Sequence, residues 1–207
     1  MTRREFFFAI PITGKASVVS STPLVVPVHQ VLNDWAKCTP DQLRGFSSRI
    51  WPEAAQDFAR CGIQLQTSLK TGEVRRAPSG KPVLTGLDYG VINLVVTDHI
   101  PLAWDRGRGL TGVTTRYHGY HVCMVALNYA HCHQIPFLSV NTCVHELLHV
   151  LLQDIFESRP KGFPGDAREF RIDWYATRLW LFHDGAAIRQ ATNEYLERMR
   201  SAFPAHP

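Results

Sequence analysis

The sequence predicts an α+β domain: a small mixed sheet drawn from the first half of the chain, packed on helices that follow it. Short β-branched and apolar runs bounded by Gly, Pro and Asp punctuate residues up to Leu127, and from Asn141 onward the apolar residues recur at helical spacing. The switch from a period of two to a period near 3.6 is the pattern of strands followed by helices.

The elements follow in order. Pro23 to Val28 is an extended lead-in. After Thr39-Pro40-Asp41 a helical pattern runs through Leu43, Phe46, Ile50, Ala54, Ala55 and Phe58, with Pro52 as a kink or break, and Cys61-Gly62 ends it. Ile63, Leu65 and Thr67 alternate as a strand, and residues 70–82 (KTGEVRRAPSGKP) read as loop. Val91 to Val96 is a β-branched run between Gly90 and Asp98, which makes it a buried strand. Asp105 to Gly109 is loop. Val113–Thr115 and Val122–Leu127 are further strands separated by the turn-like Tyr117-His118-Gly119-Tyr120. Helical periodicity spans Asn141 to Ser158 and Ala167 to Phe182, joined by a breaker-rich stretch from Arg159 to Asp166. A last amphipathic helix, Ala186 to Ser201, places Ile188, Ala191, Tyr195 and Met199 on one side.

Composition narrows the classes. The 207 residues, 45% of them hydrophobic and 19% charged, suit a single domain over 23–207 with a sizeable core. No run of about 18 apolar residues occurs, so no stable membrane insertion of the mature chain is expected. Lys and Arg number 22 against 18 Asp and Glu, a mild excess that is scattered and not gathered into a basic face, so nucleic acid is not an expected partner. The five Cys contain no C-x-x-C, which argues against a zinc ribbon or a thioredoxin-type site. Residues 1–22 admit two readings. Arg3-Arg4-Glu5-Phe6-Phe7 resembles a twin-arginine export signal, which would place the protein outside the cytoplasm, or FFFAIPI is an ordinary N-terminal strand.

The chemistry concentrates in His145-Glu146-Leu147-Leu148-His149. Residues i and i+4 stack on one helix face, so the two imidazoles can reach one metal ion from a rigid support. Glu146 points to the adjacent side, where a carboxylate can act as base on a water. The motif lies in an apolar helix with Val144, Leu147, Leu148, Leu151 and Leu152, where two His and a Glu are costly without a purpose. A catalytic zinc takes three protein ligands and keeps one position open. Four acids follow: Asp154 and Glu157 point away if the helix continues, Asp166 reads as a helix N-cap, and Glu169 sits in the next helix, in R-E-F-R-I-D.

The arrangement His145-Glu146-x-x-His149, nineteen residues, Glu169, three residues, Asp173 resembles the gluzincin clan of zinc metallopeptidases. The resemblance is specific over 145–173 and covers about 60–182 loosely as a zincin-like fold. It implies a single zincin-like metalloprotease domain with zinc held by His145, His149 and Glu169. Asp173 would orient a ligand histidine, and Glu146 would be the general base for hydrolysis of peptide bonds in a peptide or protein substrate. In this class the strand beside the metal pairs with an extended substrate, and residues 110–127 are expected to supply its edge. A metzincin would carry Gly and His where this chain has Leu152 and Ile155.

Two other classes compete: a zincin-fold binding module without activity, and a zinc hydrolase acting on a non-peptide amide such as cell-wall material. His118, His121, His131 and His133 could form a second metal site or supply an oxyanion donor. Tyr117, Tyr120 and Tyr175 are donor candidates of the same kind. Loops 70–82 and 103–109 would set selectivity.

Overall fold

The computed structural model describes residues 22–34, 36–79, 81–100, 111–127, 133–135, 138–152 and 166–202. The readings of residues 1–21 as a signal or strand, of loop 103–109, of His131, and of Asp154, Glu157 and the connector 159–165 therefore lie outside the described residues.

The fold is mixed α+β. Strands β1 (Leu24–Asn33), β2 (Ile63–Gly72), β5 (Ile92–Thr97), β6 (Gly112–Tyr117) and β7 (Tyr120–Ala126) form one five-stranded sheet in the order β2-β1-β5-β7-β6. All neighbours are parallel except β6, which runs antiparallel to β7 at one edge. Strands β3 (Val74–Arg76) and β4 (Pro82–Leu84) pair as a separate hairpin, as do β8 (His133–Ile135) and β9 (Leu138–Val140).

Period-two alternation sorts the sheet residues onto two faces. Val26, Val28, Ile92, Leu94, Cys123 and Val125 face the larger core, shared with all the helices that contribute to it. Val31, Val95, Val122, Met124 and Ala126 face a smaller core closed by Val74 and Leu84 of the β3–β4 hairpin. Among the described residues the helices thus lie on one face of the sheet.

Three expectations are corrected. The lead-in at Pro23–Val28 belongs to a ten-residue strand, β1, interior to the sheet. Its Pro27 sits where β2 pairs with β1 but just before β5 begins to pair, at Val28, so the missing N–H leaves the β1–β5 ladder intact. The 70–82 stretch is not all loop, since β2 runs to Gly72 and the β3–β4 hairpin follows. The order therefore begins with a strand and not a helix.

The first helical region is continuous. Helix α1 (Pro40–Gly45) opens with a capping box between Thr39 and Gln42, a π-helical turn follows over Phe46–Ile50, and α2 (Trp51–Arg60) completes it. Pro52 lacks the N–H that a regular α ladder needs, and the wider π turn just before it absorbs the change of register without a break. Gly62, at φ 71, turns the chain into β2.

Helix α3 (Thr142–Leu151) is buried along its whole length. Asn141 caps it, its side chain accepting from the Cys143 and Val144 N–H groups and donating to the Ile50 carbonyl at 2.8 Å. The helix ends at Leu151, short of the expected Ser158, with Leu152 already out of helical geometry at φ −96°, ψ 12°. Helix α4 (Asp166–Thr177) runs into a second π turn, Arg178–Phe182, and α5 (Ala186–Ala202) buries Ile188, Ala191 and Tyr195 as expected. Asp166 is the first residue of α4 itself. Among the described residues no helix is long and apolar enough to cross a membrane.

Candidate metal centre

Helices α3 and α4 pack against each other and bring their polar side chains to one point. Nε2 of His145 and Nε2 of His149 lie 2.9 Å apart, and Oε2 of Glu169 lies 3.1 Å and 3.2 Å from them. Three atoms with lone pairs thus close a triangle. A tetrahedral ion with bonds of about 2.0–2.1 Å would space its ligand atoms about 3.3 Å apart, so the triangle needs little adjustment to accept one. Among the described residues this is the group of three ligating side chains whose atoms converge in this way.

The donor set fits a metal in its chemistry as well. His145 and His149 are only 2% and 7% exposed, while the Glu169 side chain is 59% exposed, so the site opens toward solvent on its α4 side. Asp173 Oδ1 accepts from Nδ1–H of His145 at 2.7 Å, which turns the Nε2 lone pair toward the triangle. Burial by itself would hold the His145 pKa down. Its hydrogen bonds to Asp173 and Glu169, with the Glu146 charge, carry it instead up to about 10. The Glu169 carboxyl is held well below the usual range by its hydrogen bonds with His145 and His149. The two shifts have one cause: the surroundings of these three atoms favour positive charge between them, as a cation would supply.

Glu146, 3% exposed, is set against β6 and not into the triangle. Oγ1 of Thr114 lies 2.6 Å from its Oε2 and 3.0 Å from its backbone carbonyl oxygen, and the Cys123 thiol donates to the same carbonyl at 3.4 Å. Gly112 leaves room for the carboxylate, since a Cβ there would stand 2.5 Å from Oε1 and 2.8 Å from Cγ. The sequence reading passed over Gly112 and Thr114. Their signal was the alternation of β6, which places residues 112, 114 and 116 on one face.

The other candidates scatter. Tyr117 and Tyr120 pack on the smaller core, on the sheet face away from α3, where Tyr120 stacks on Tyr89 at 4.0 Å. His118 occupies the β6–β7 turn at φ 48 and leans edge-on against Tyr117. His121 faces the helices but meets Tyr195, ring edge to face at 5.6 Å. His133 belongs to the β8–β9 hairpin. Tyr175 rests partly buried against the larger core, edge-on to Trp174. His118 and His121 do not join a second metal cluster among the described residues. The Cys38, Cys61, Cys123 and Cys143 thiols are free, and burial pushes those of Cys38 and Cys61 up to about 11.

No protein-family model matches the chain, and no curated protein matches it.

Proposed function

We propose that this chain is a zinc-dependent metallopeptidase of gluzincin type on a zincin-like domain. The observation that carries the reading is the convergence of His145 Nε2, His149 Nε2 and Glu169 Oε2 from two helices, with Asp173 behind one ring and Glu146 to the side. His145, His149 and Glu169 would hold the ion, three protein ligands with one position left open. Bound there, zinc would acidify a water and polarise the scissile carbonyl.

The remaining steps belong to the chain. Glu146, fixed by Thr114 and seated over Gly112, takes the proton of the attacking water and passes it to the leaving amine. Asp173 holds the His145 ring in one tautomer and orientation. Among the described residues strand β6 is the antiparallel edge of the sheet and borders Glu146, and in this reading its outer side would pair with an extended peptide.

Two measurements on the full chain test this. Metal analysis of purified protein should return about one zinc per chain, and a library of quenched peptides should be cleaved in a chelator-sensitive manner. Glu146→Gln keeps the side-chain shape and removes the basicity. It should retain zinc and lose roughly 10²–10⁴-fold in hydrolysis. Activity unchanged in that variant would refute the mechanism. Zinc without cleavage of any peptide would favour a binding module or a different amide substrate.

A further inference from the structure

Beyond Thr114, the same face of β6 carries Arg116, which stands opposite His121 across the β6–β7 pair. His121 in turn meets the Tyr195 ring of α5, and Arg198 lies one helical turn further along α5. Arg116 and Arg198 are both exposed. Two guanidinium groups, one imidazole and one phenol thus gather at the end of the strand whose other residues hold the general base. The Tyr195 hydroxyl beneath them is buried and has no hydrogen-bond partner among the described residues. The surroundings are electrostatically positive: burial and then the charges of Arg116 and Arg198 press the His121 pKa down to about 4, so the ring is neutral at pH 7.

Successive residues on one face of a strand are about 6.8 Å apart, two steps of roughly 3.4 Å. An extended substrate paired with β6 would therefore present a side chain or chain end to Arg116 about two residues from the amide that faces Glu146. We propose that Arg116 and Arg198, with His121 as a neutral N–H donor, form a subsite that reads a carboxylate on the substrate at this spacing. Planar guanidinium groups recognise carboxylates through paired, charge-assisted hydrogen bonds, which a neutral side chain at the same place does not offer. The proposal rests on the metallopeptidase reading for the direction of the substrate, but the subsite itself can be measured without turnover.

The test follows the His121 ring by NMR in the full chain, its resonances assigned with His121→Gln. N-acetyl-aspartate amide should shift them saturably, and N-acetyl-asparagine amide should bind roughly tenfold or more weakly, the worth of one charge-assisted hydrogen bond. N-acetyl-glycylglycine and its C-terminal amide form the second pair, which separates a chain-end carboxylate from an acidic side chain. Arg116→Gln and Arg198→Gln should each abolish the preference for the charged probe. If either variant fails to fold, the paired probes on the unaltered chain still decide. Equal binding of the charged and neutral probes, no shift with either acid, or a preference that survives both substitutions would overturn the subsite. Cleavage of matched Asp and Asn peptides separates the two ideas. Metal-dependent cleavage that ignores the charge, with no His121 shift, removes the subsite alone, whereas charge-selective shifts without any cleavage remove the peptidase reading alone.

Discussion

Asp173 reaches His145 from behind: its Oδ1 lies 2.7 Å from Nδ1, while Nε2 of the same ring faces His149 and Glu169. One imidazole thus connects a half-buried carboxylate of α4 to the point where a metal would sit. Removing the oxygen charge without changing its shape isolates that link. Asp173→Asn is expected to weaken zinc affinity by about 10–100-fold, read by competition with a chromogenic chelator. An unchanged affinity would mean that the ring is held by its packing alone.

The ligands themselves should be far more sensitive. His149→Ala leaves His145 and Glu169, and two donors do not sustain a site that normally uses three. Purified His149→Ala should therefore carry almost no zinc by elemental analysis, and Glu169→Ala should behave alike. Full occupancy in either variant would place the ion elsewhere in the chain.

Gly112→Ala tests the seating of the base. The added methyl would stand 2.5 Å from Glu146 Oε1 and 2.8 Å from its Cγ, so the carboxylate must move. Since a displacement of about 1 Å can cost roughly 10²-fold, hydrolysis should fall by about that factor while zinc content stays at the unaltered level. Activity within twofold of the unaltered chain, on the order of measurement error in such comparisons, would show that Glu146 is placed by something other than β6.

A pH effect follows from His121. Its folded pKa, pressed down to about 4, lies below the ordinary value of 6.5 that it has in the unfolded chain. The sign is that of a buried neutral base: its contribution is fully present above pH 6.5 and is lost as the pH falls through about 4. In metal-free protein His145 acts in the opposite sense between pH 6.5 and 5: its folded pKa near 10 keeps the folded ring protonated while the unfolded ring is still gaining its proton below 6.5, so it offsets a small part of the loss due to His121. Urea midpoints should drop across that interval, and His121→Phe should flatten the slope. A slope unchanged by the substitution would assign the acid sensitivity to other groups.

Much of this was legible in the residues. The i, i+4 spacing of His145 and His149 is a statement about helix geometry, and the apolar residues around them already require a buried helix. Glu169 and Asp173 stand one turn apart, so any helix there points both toward one neighbour, as α4 does toward α3. The edge strand was legible too, because Val113–Thr115 and Val122–Leu127 flank a turn with His118 and Gly119 in the left-handed region. What escaped was non-local. Pro27 argues locally against an interior strand, and only the register with β5 shows why β1 tolerates it. Three-residue strands such as β3 and β4 are too short to show a period. Tyr117 and Tyr120 looked like donors until the parity of the sheet, fixed by Thr114 meeting Glu146, put them on the far face.

The complete burial of α3 bears on how an ion would leave. Amides in such a helix exchange with solvent only when the whole molecule opens, whereas α4 exposes Glu169 and Trp174 and can part from the site by a smaller excursion. Two ligands thus belong to the slowest-opening element and the third to a more labile one. Dissociation of the ion would begin with a local departure of Glu169, and its rate would be set by the breathing of α4. Deuterium uptake should then report the two helices as separate cooperative units, and added zinc should slow α4 first.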